Sequence, residues 1–247
     1  MLLPVRDHAA RTLLVSGQLP HERHETRLLW VLLRDTRTAI DVGANLGWYS
    51  VLASKAMIEG TVHAFEPNPD VLPYLAANAA ERGAIQVHGC ALAENNGQID
   101  FFCASSSNLS SAARMVGKRV RVPTTTLDDF ARAELMREPV FVKVDVEGGE
   151  LSVLRGARRF RASFPDTIWM IEADEDLLKE AGESLAALDS ELGLPRSGMH
   201  ILALGADNRW QEISRFTDMT RRSHKNAFMV PERASRRFQA AIRGTIG

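Results

Sequence analysis

The chain has 247 residues and a formal net charge of −1, and 45% of its residues are hydrophobic while 25% are charged. This length suits one α/β domain with a full core, and the balanced charge disfavours nucleic acid as a partner. Because the sequence contains two cysteines and no apolar run of about 18 residues, it predicts a cytoplasmic protein with reduced thiols and no membrane span.

A buried helix with a charged first turn is predicted over residues 22–34. Strands and helices then alternate in the first part of the chain. Short apolar runs predict the strands, and longer periodic segments predict the helices between them. The strands are 39–42, 61–65 and 85–88, and the helices are 46–56 and 70–82. Such alternation predicts a parallel sheet with right-handed crossovers. We therefore expect an N-terminal helical extension (residues 1–37) followed by a single globular unit (residues 38–247).

The pattern changes near residue 98. Two short strands flank a polar, serine-rich stretch and predict a hairpin-like insertion over residues 98–125. Thr126 or Asp128 is the expected N-cap of the next helix, and Gly193 is expected to end the last helix of the series. The remaining predicted strands are 98–103, 119–122, 140–144, 167–171, 199–204 and 227–230, the helices are 127–136, 151–160 and 176–192, and the tail is expected to be helical.

The sequence Asp41-Val-Gly-Ala-Asn-Leu-Gly-Trp-Tyr-Ser50 follows the first predicted strand and has the character of a ligand-binding loop. Its Gly43-x-x-x-Gly47 spacing departs from the dinucleotide fingerprint G-x-G-x-x-G, and Asp41 would repel a pyrophosphate. An acid suits a cofactor that carries positive charge, such as S-adenosylmethionine, whose carboxylate can lie near a helix N-terminus. Glu66 follows about 20 residues later and is placed to bind ribose hydroxyls. A plain strand-to-helix turn and a nicotinamide site are the alternatives.

A second set of charged residues lies in the sequence Val142-Lys-Val-Asp-Val-Glu147. Side chains of a strand alternate between faces, so Lys143, Asp145 and Glu147 share one side if the strand continues that far. Charge in an apolar strand is costly unless it is paired or used, and ligands bind at the carboxyl edge of open α/β sheets. The Lys143–Asp145 pair is therefore a site candidate. A purely structural ion pair and a capping role for Glu147 remain open.

Four motifs together resemble the FkbM family of S-adenosylmethionine-dependent methyltransferases: residues 41–50, 65–69, 126–129 and 142–151. The resemblance implies a class I methyltransferase fold, which is Rossmann-like, with helices on both faces of a seven-stranded sheet whose last strand alone is antiparallel. It also implies S-adenosylmethionine as cofactor and O-methylation of a sugar, glycan or polyketide hydroxyl. The partner is then a small-molecule or glycan acceptor, and a homo-oligomer is a further expectation.

The resemblance and the loop chemistry together assign the cofactor-binding positions to the ends of four strands. The glycine loop and the residues after the second and third strands would surround the cofactor, and the charged fourth strand would reach it from the side. The expected residues are Asp41, Gly43, Ala44, Asn45, Gly47, Tyr49, Ser50, Glu66, Pro67, Asn68, Cys90, Ala91, Leu92 and Asp145.

Catalysis is expected from carboxylates, because a sugar hydroxyl is a weak nucleophile whose proton must be removed. Asp145 is the first candidate for this base, supported by Lys143, and Glu172 is the second. Asp145 with Glu172 or Asp174 could instead bind Mg²⁺, which takes oxygen ligands. Expected substrate contacts come from Ser110, Glu147 and His200.

Two rival functions predict different behaviour. N-methylation of an amino sugar or peptide would need no base once the amine is deprotonated, so Asp145→Asn would change turnover little. A non-catalytic cofactor-binding protein would bind S-adenosylmethionine but methylate no acceptor.

Overall fold

The computed structural model describes residues 1–3, 23–104, 110–113, 115, 117–195, 198–219 and 225–232. The predicted helical C-terminal tail lies outside these residues. The strands are β1 (Thr38–Val42), β2 (Thr61–Phe65), β3 (Ile85–His88), β4 (Ala91–Leu92), β5 (Gly97–Cys103), β6 (Lys118–Thr125), β7 (Val140–Val144), β8 (Ile168–Glu172), β9 (Met199–Leu204), β10 (Trp210–Ile213) and β11 (Asn226–Pro231). The helices are α1 (Arg23–Leu32), α2 (Trp48–Ala56), α3 (Leu72–Ala80), α4 (Leu127–Ala133), α5 (Glu150–Arg155), α6 (Arg158–Ser163), α7 (Glu175–Glu180) and α8 (Leu185–Leu192), with 3-10 turns at Leu33–Asp35 and Phe216–Asp218.

The main sheet has eight strands in the order β10-β9-β11-β8-β7-β1-β2-β3. Strands β1, β2, β3, β7 and β8 pair in parallel. Strand β11 runs antiparallel between β8 and β9, and β10 pairs antiparallel with β9. The prediction of a mostly parallel α/β sheet is confirmed, but the count of seven strands is wrong. Strand β10 was not predicted, because its sequence, Trp-Gln-Glu-Ile, has two polar residues in the middle and no apolar run.

Both faces of the main sheet are covered by helices, as parallel sheets require. One face packs against α5 to α8 through a core that includes Val142, Leu154 and Phe160. The other packs against α1 to α3 through a core that includes Leu28 and Leu75. Central strand β7 is buried at all five positions, so its one charged residue must be accommodated inside the protein.

A smaller sheet of three strands, in the order β4-β6-β5, accompanies the main one. The two strands predicted around the serine-rich stretch are confirmed as an antiparallel pair, β5 with β6. Strand β4 was not predicted and pairs in parallel with β6. The division of the chain at residues 37 and 38 stays a prediction.

Two long predicted helices, 151–160 and 176–192, are each divided in two. Gly156 separates α5 from α6, and a Cβ there would lie 2.1 Å from the carbonyl oxygen of Ala93, so the chain turns against a neighbouring loop. Thr126 is confirmed as the N-cap of α4, since its side chain accepts from the Asp129 N–H. Gly193 is confirmed as the left-handed end of α8, with φ 64°. Among the described residues, no helix is long and apolar enough to cross a membrane.

Candidate active site

The glycine loop between β1 and α2 has a backbone that few residues can adopt. Gly43 and Gly47 have φ values of 81° and 86°, and Asn45 has 49°; all three lie in the left-handed region, which glycine adopts without strain. A Cβ on Gly43 would lie only 1.9 Å from the carbonyl oxygen of Asp145. The glycine loop therefore packs directly against the end of β7. This contact brings the predicted cofactor-binding loop next to the predicted catalytic pair, Lys143 and Asp145.

Asp41 lies beneath this loop and is almost fully buried. Its Oδ2 accepts a hydrogen bond of 2.6 Å from the Ser50 hydroxyl, and its Oδ1 lies 4.0 Å from Lys143 Nζ. That Oδ1 has no hydrogen-bond partner in the described part of the chain. Burial raises the pKa of Asp41, and the nearby Lys143 ammonium opposes the rise. The orphaned oxygen can accept from a cationic or hydroxyl-bearing ligand.

Glu66 follows β2 and is held by the backbone of two loops. Its Oε2 accepts from the Asn45 N–H and its Oε1 accepts from the Asn68 N–H, both at 2.8 Å. Burial raises the pKa of Glu66 to about 7, although these two N–H donors favour the ionised form. Each carboxylate oxygen can accept more than one hydrogen bond, so Glu66 can still bind hydroxyl groups.

These residues fit S-adenosylmethionine, the cofactor expected from the sequence. The oxygens Asp41 Oδ1 and Asn45 Oδ1 are buried and lack a hydrogen-bond partner in the described structure, which suits the ammonium of the cofactor. Glu66 would hold the ribose. The residues after β3 are less uniform, because Leu92 belongs to strand β4 and its side chain packs in the core. A contact with adenine is therefore better expected from Cys90, which is only partly buried.

Lys143 is the charged residue inside β7, and only 3% of its side chain is exposed. Its Nζ donates to Asp145 Oδ2 at 2.8 Å and lies 4.6 Å from the centre of the Tyr49 ring. The predicted Lys143–Asp145 pair is thus present, and it is stabilised by the aromatic face as well as by charge. Asp145 is the more exposed partner, at 24%, so its carboxylate can reach a ligand.

The loop after β7 is folded back on itself. Strand β7 ends at Val144, so the condition under which Glu147 would share one side of a strand with Lys143 and Asp145 is not met. Glu147 instead has a φ of 56°, and its carboxylate oxygen still comes within 4.8 Å of those of Asp145 and Glu172. Burial and the neighbouring acids raise the pKa of Glu172 well above its usual value. The three carboxylates form an acidic cluster at the carboxyl edge of the sheet.

Glu150 is the residue that caps this loop, a role the sequence left open for Glu147. Its Oε1 accepts from the backbone N–H groups of Val146 and Gly148, at 3.0 and 3.2 Å. Glu150 is 1% exposed, and burial raises its pKa to about 7. In the sequence, Glu150 follows the Gly148-Gly149 pair directly and is the first residue of α5. An acidic residue at that position is a feature from which the cap could have been predicted.

The described residues of the loop that follows β5 contact both the loop after β2 and the loop after β7. The Ser110 hydroxyl accepts from Asn68 Nδ2 at 3.3 Å. The Ser111 hydroxyl is fully buried and donates to the Glu147 carbonyl at 2.8 Å. Ser110 was predicted as a site residue and Ser111 was not, because adjacent serines in a polar stretch give no sign of which one is buried.

Two predicted site residues lie elsewhere. Asp174 caps α7 by accepting from the Asp176 and Leu177 N–H groups and pairs with Lys225, so its oxygens are already engaged and the predicted metal ligand is wrong. His200 lies near the start of β9, and its backbone pairs with Val230 at the opposite end of β11 from the site. Its ring contacts Glu212 and Glu232. The prediction that His200 contacts substrate is therefore wrong.

Comparison with known proteins identifies relatives of this chain. It is 28% identical over 184 residues to the hexuronic acid methyltransferase AglP of Haloferax volcanii, an alignment that covers 71% of this chain and 76% of AglP. Among solved structures, the O-methyltransferase from Bacillus cereus aligns with a TM-score of 0.48 and 9% identity, covering 90% of this chain and 88% of the other. The O-methyltransferase TomG from Streptomyces achromogenes aligns with a TM-score of 0.42 and 12% identity, covering 84% and 78%.

The family comparison agrees with the motifs. The methyltransferase FkbM domain matches residues 41–199, well over half of the chain. That span runs from Asp41, at the glycine loop, through the Lys143–Asp145 pair. The chain belongs to the FkbM family of S-adenosylmethionine-dependent methyltransferases.

Proposed function

We propose that this enzyme transfers the methyl group of S-adenosylmethionine to a hydroxyl of a sugar or glycan, with a hexuronate as the first acceptor to test. The observation that carries the proposal is the position of Asp145. Its carboxylate is held by the buried Lys143 at 2.8 Å, and its backbone touches the glycine loop. The resemblance to a hexuronic acid methyltransferase supports an acceptor of the sugar class.

The residues divide the work in a simple way. Asp41, Asn45 and Glu66 would hold the cofactor, which supplies an activated methyl group and a sulfur leaving group when bound. Asp145 accepts the proton of the acceptor hydroxyl as the new oxygen–carbon bond forms. The contact between the glycine loop and the end of β7 fixes the position of the cofactor-binding residues relative to Asp145. Alignment of donor and acceptor is the main contribution that a protein makes to such a displacement.

Lys143 fixes the orientation of Asp145. Its Nζ donates to Asp145 Oδ2 at 2.8 Å, and the Asp145 side chain, which is 24% exposed, remains accessible to an acceptor. Glu172 has a raised pKa, so it retains its proton more readily and serves as a hydrogen-bond donor beside the base.

The test measures methyl transfer to D-glucuronate through formation of S-adenosylhomocysteine, with wild type and Asp145→Asn. Turnover by the wild type, with loss of at least about a hundredfold in the variant, supports a carboxylate base. Retained turnover of Asp145→Asn with D-glucosamine, at a pH above the pKa of its amine, would favour N-methylation instead. Cofactor binding without methylation of any acceptor would indicate a non-catalytic protein.

A direct carboxylate base and a metal-bound base differ in whether turnover requires a divalent cation. Three carboxylates within 4.8 Å of one another are compatible with an oxygen-ligated ion. If Asp145 acts as the base directly, treatment with EDTA leaves turnover unchanged. Loss of turnover that Mg²⁺ restores would replace the direct base with a metal-bound one.

A further inference from the structure

One polar residue at the edge of the site lies outside every motif and outside the matched family region. Asn226 is the first residue of β11 and pairs directly with Glu172 in the antiparallel ladder. The parallel register of β7 and β8 ends with Val144 opposite Ile171, so Asp145 and Glu172 follow in line. Residues directly opposite in an antiparallel pair point to the same face. Asp145, Glu172 and Asn226 thus form one row along the carboxyl edge of the sheet.

Two atoms in this row lack partners. Glu172 Oε2 and Asn226 Oδ1 are buried, and neither has a hydrogen-bond partner in the described structure. Asn226 is only 9% exposed. Buried polar atoms are nearly always hydrogen-bonded, and the exceptions call for an explanation. Asn226 Oδ1 accepts a hydrogen bond, whereas the raised pKa of Glu172 favours a carboxyl group that donates one, so the missing partner is a group that both donates and accepts, such as a hydroxyl group.

The backbone around Asn226 is fixed by its neighbours. The Ala173 N–H donates to the Lys225 carbonyl at 2.7 Å, and the Lys225 ammonium pairs with Asp174. Asn226 itself is held in the ladder opposite Glu172. An amide held this way has a defined position, which is a condition for recognising one particular hydroxyl.

We infer that Asn226, with Glu172, binds a second hydroxyl of the acceptor, distinct from the one that is methylated. This inference rests on the proposed function. It assigns part of the acceptor specificity to β11, which lies beyond the matched residues 41–199. The expected ligand is a sugar ring with one hydroxyl at Asp145 and another near Asn226.

The experiment compares wild type, Asn226→Leu and the control Asn95→Leu, at an exposed position away from the site. Three quantities are measured. They are the affinity for S-adenosylhomocysteine by calorimetry, the free energy of unfolding in urea, and KM and kcat in separate assays with D-glucuronate, D-galacturonate, D-glucose and D-glucosamine. We expect Asn226→Leu to raise KM at least about tenfold, because a pocket built for a hydroxyl loses its partner. Cofactor affinity stays within about threefold, and stability is equal or higher, because a buried Oδ1 atom without a hydrogen-bond partner has been replaced by an apolar group.

Each other outcome overturns the inference in a recognisable way. Lower stability of Asn226→Leu means that the amide makes structural hydrogen bonds. Weaker binding of S-adenosylhomocysteine places Asn226 on the cofactor side, and an unchanged KM removes it from acceptor recognition. If the wild type binds the cofactor but methylates none of these four compounds, the proposed function is contradicted, and the inference, which rests on it, is contradicted too.

Discussion

Glu66 should make cofactor binding dependent on pH. Its pKa is raised to about 7 by burial, so the side chain changes charge in the range where the protein can be studied. Ribose hydroxyls donate hydrogen bonds, and they bind a carboxylate better than a carboxylic acid. The complex therefore favours ionised Glu66, and binding releases a proton whenever the free protein carries one.

The magnitude follows from this pKa. Glu66 is about 90% protonated at pH 6 and about 10% at pH 8. If only the ionised form binds the ribose, the affinity for S-adenosylhomocysteine is about tenfold weaker at pH 6, which corresponds to about 1.4 kcal/mol. Calorimetry in buffers of different ionisation enthalpy measures both the affinity and the proton release, which we expect to be about half a proton at pH 7.

Glu66→Gln is the matched control because it resembles the protonated side chain in shape and charge. Its affinity should not show the tenfold change between pH 6 and pH 8, and at pH 8 it should be more than about tenfold weaker than that of the wild type. Any pH dependence that the variant retains belongs to other groups, Asp41 among them. Equal affinities of wild type and variant at pH 8 would refute the reasoning, since they would mean that the Glu66 charge makes no contact with the cofactor.

Three further predictions concern catalysis and stability. Asp145→Asn should lower kcat at least about a hundredfold with S-adenosylhomocysteine affinity within about threefold; a collapse of that affinity would place Asp145 on the cofactor side. Ser111→Ala removes a buried donor to the Glu147 carbonyl and should cost about 1 kcal/mol in unfolding free energy and also lower kcat, so unchanged kcat would exclude a positioning role. Burial lowers the pKa of His63 from 6.5 to about 4, so its contribution to stability is complete above pH 6.5 and is lost as the pH falls. Relative to His63→Phe, the wild type should lose about 2 kcal/mol between pH 7.5 and pH 5 in urea unfolding, and parallel pH profiles would contradict this.

The central strands were predictable because their apolar runs are short and sharply bounded. Strands β2, β3 and β7 begin and end where the sequence predicted them, since each is a short run followed by a polar or glycine-containing turn. The helix breaks were not predictable. Gly182 interrupts a periodic pattern with a φ of 77°, and an isolated glycine in such a pattern does not show whether the helix continues.

The candidate site was predicted in part, for a related reason. Residues tied to a strand end, such as Asp41 and Lys143, were located by the strand itself. Alternation could not place Glu147, because it assumes an extended backbone, whereas the φ of Glu147 is 56°. His200 was misplaced because a late strand carries no motif that shows which of its ends faces the ligand. Asn226 gave no signal, since its significance depends on pairing with Glu172, far away in sequence.

The contact between Gly43 and Asp145 has a consequence for how this enzyme could acquire new substrates. The spacing between donor loop and base depends on a backbone approach too close for any side chain, so it does not depend on the peripheral elements. Ser110 and Asn226 belong to other elements, the loop after β5 and the antiparallel strand β11. Substitutions in those elements can therefore change which acceptor is accommodated while the path of the transferred carbon stays the same.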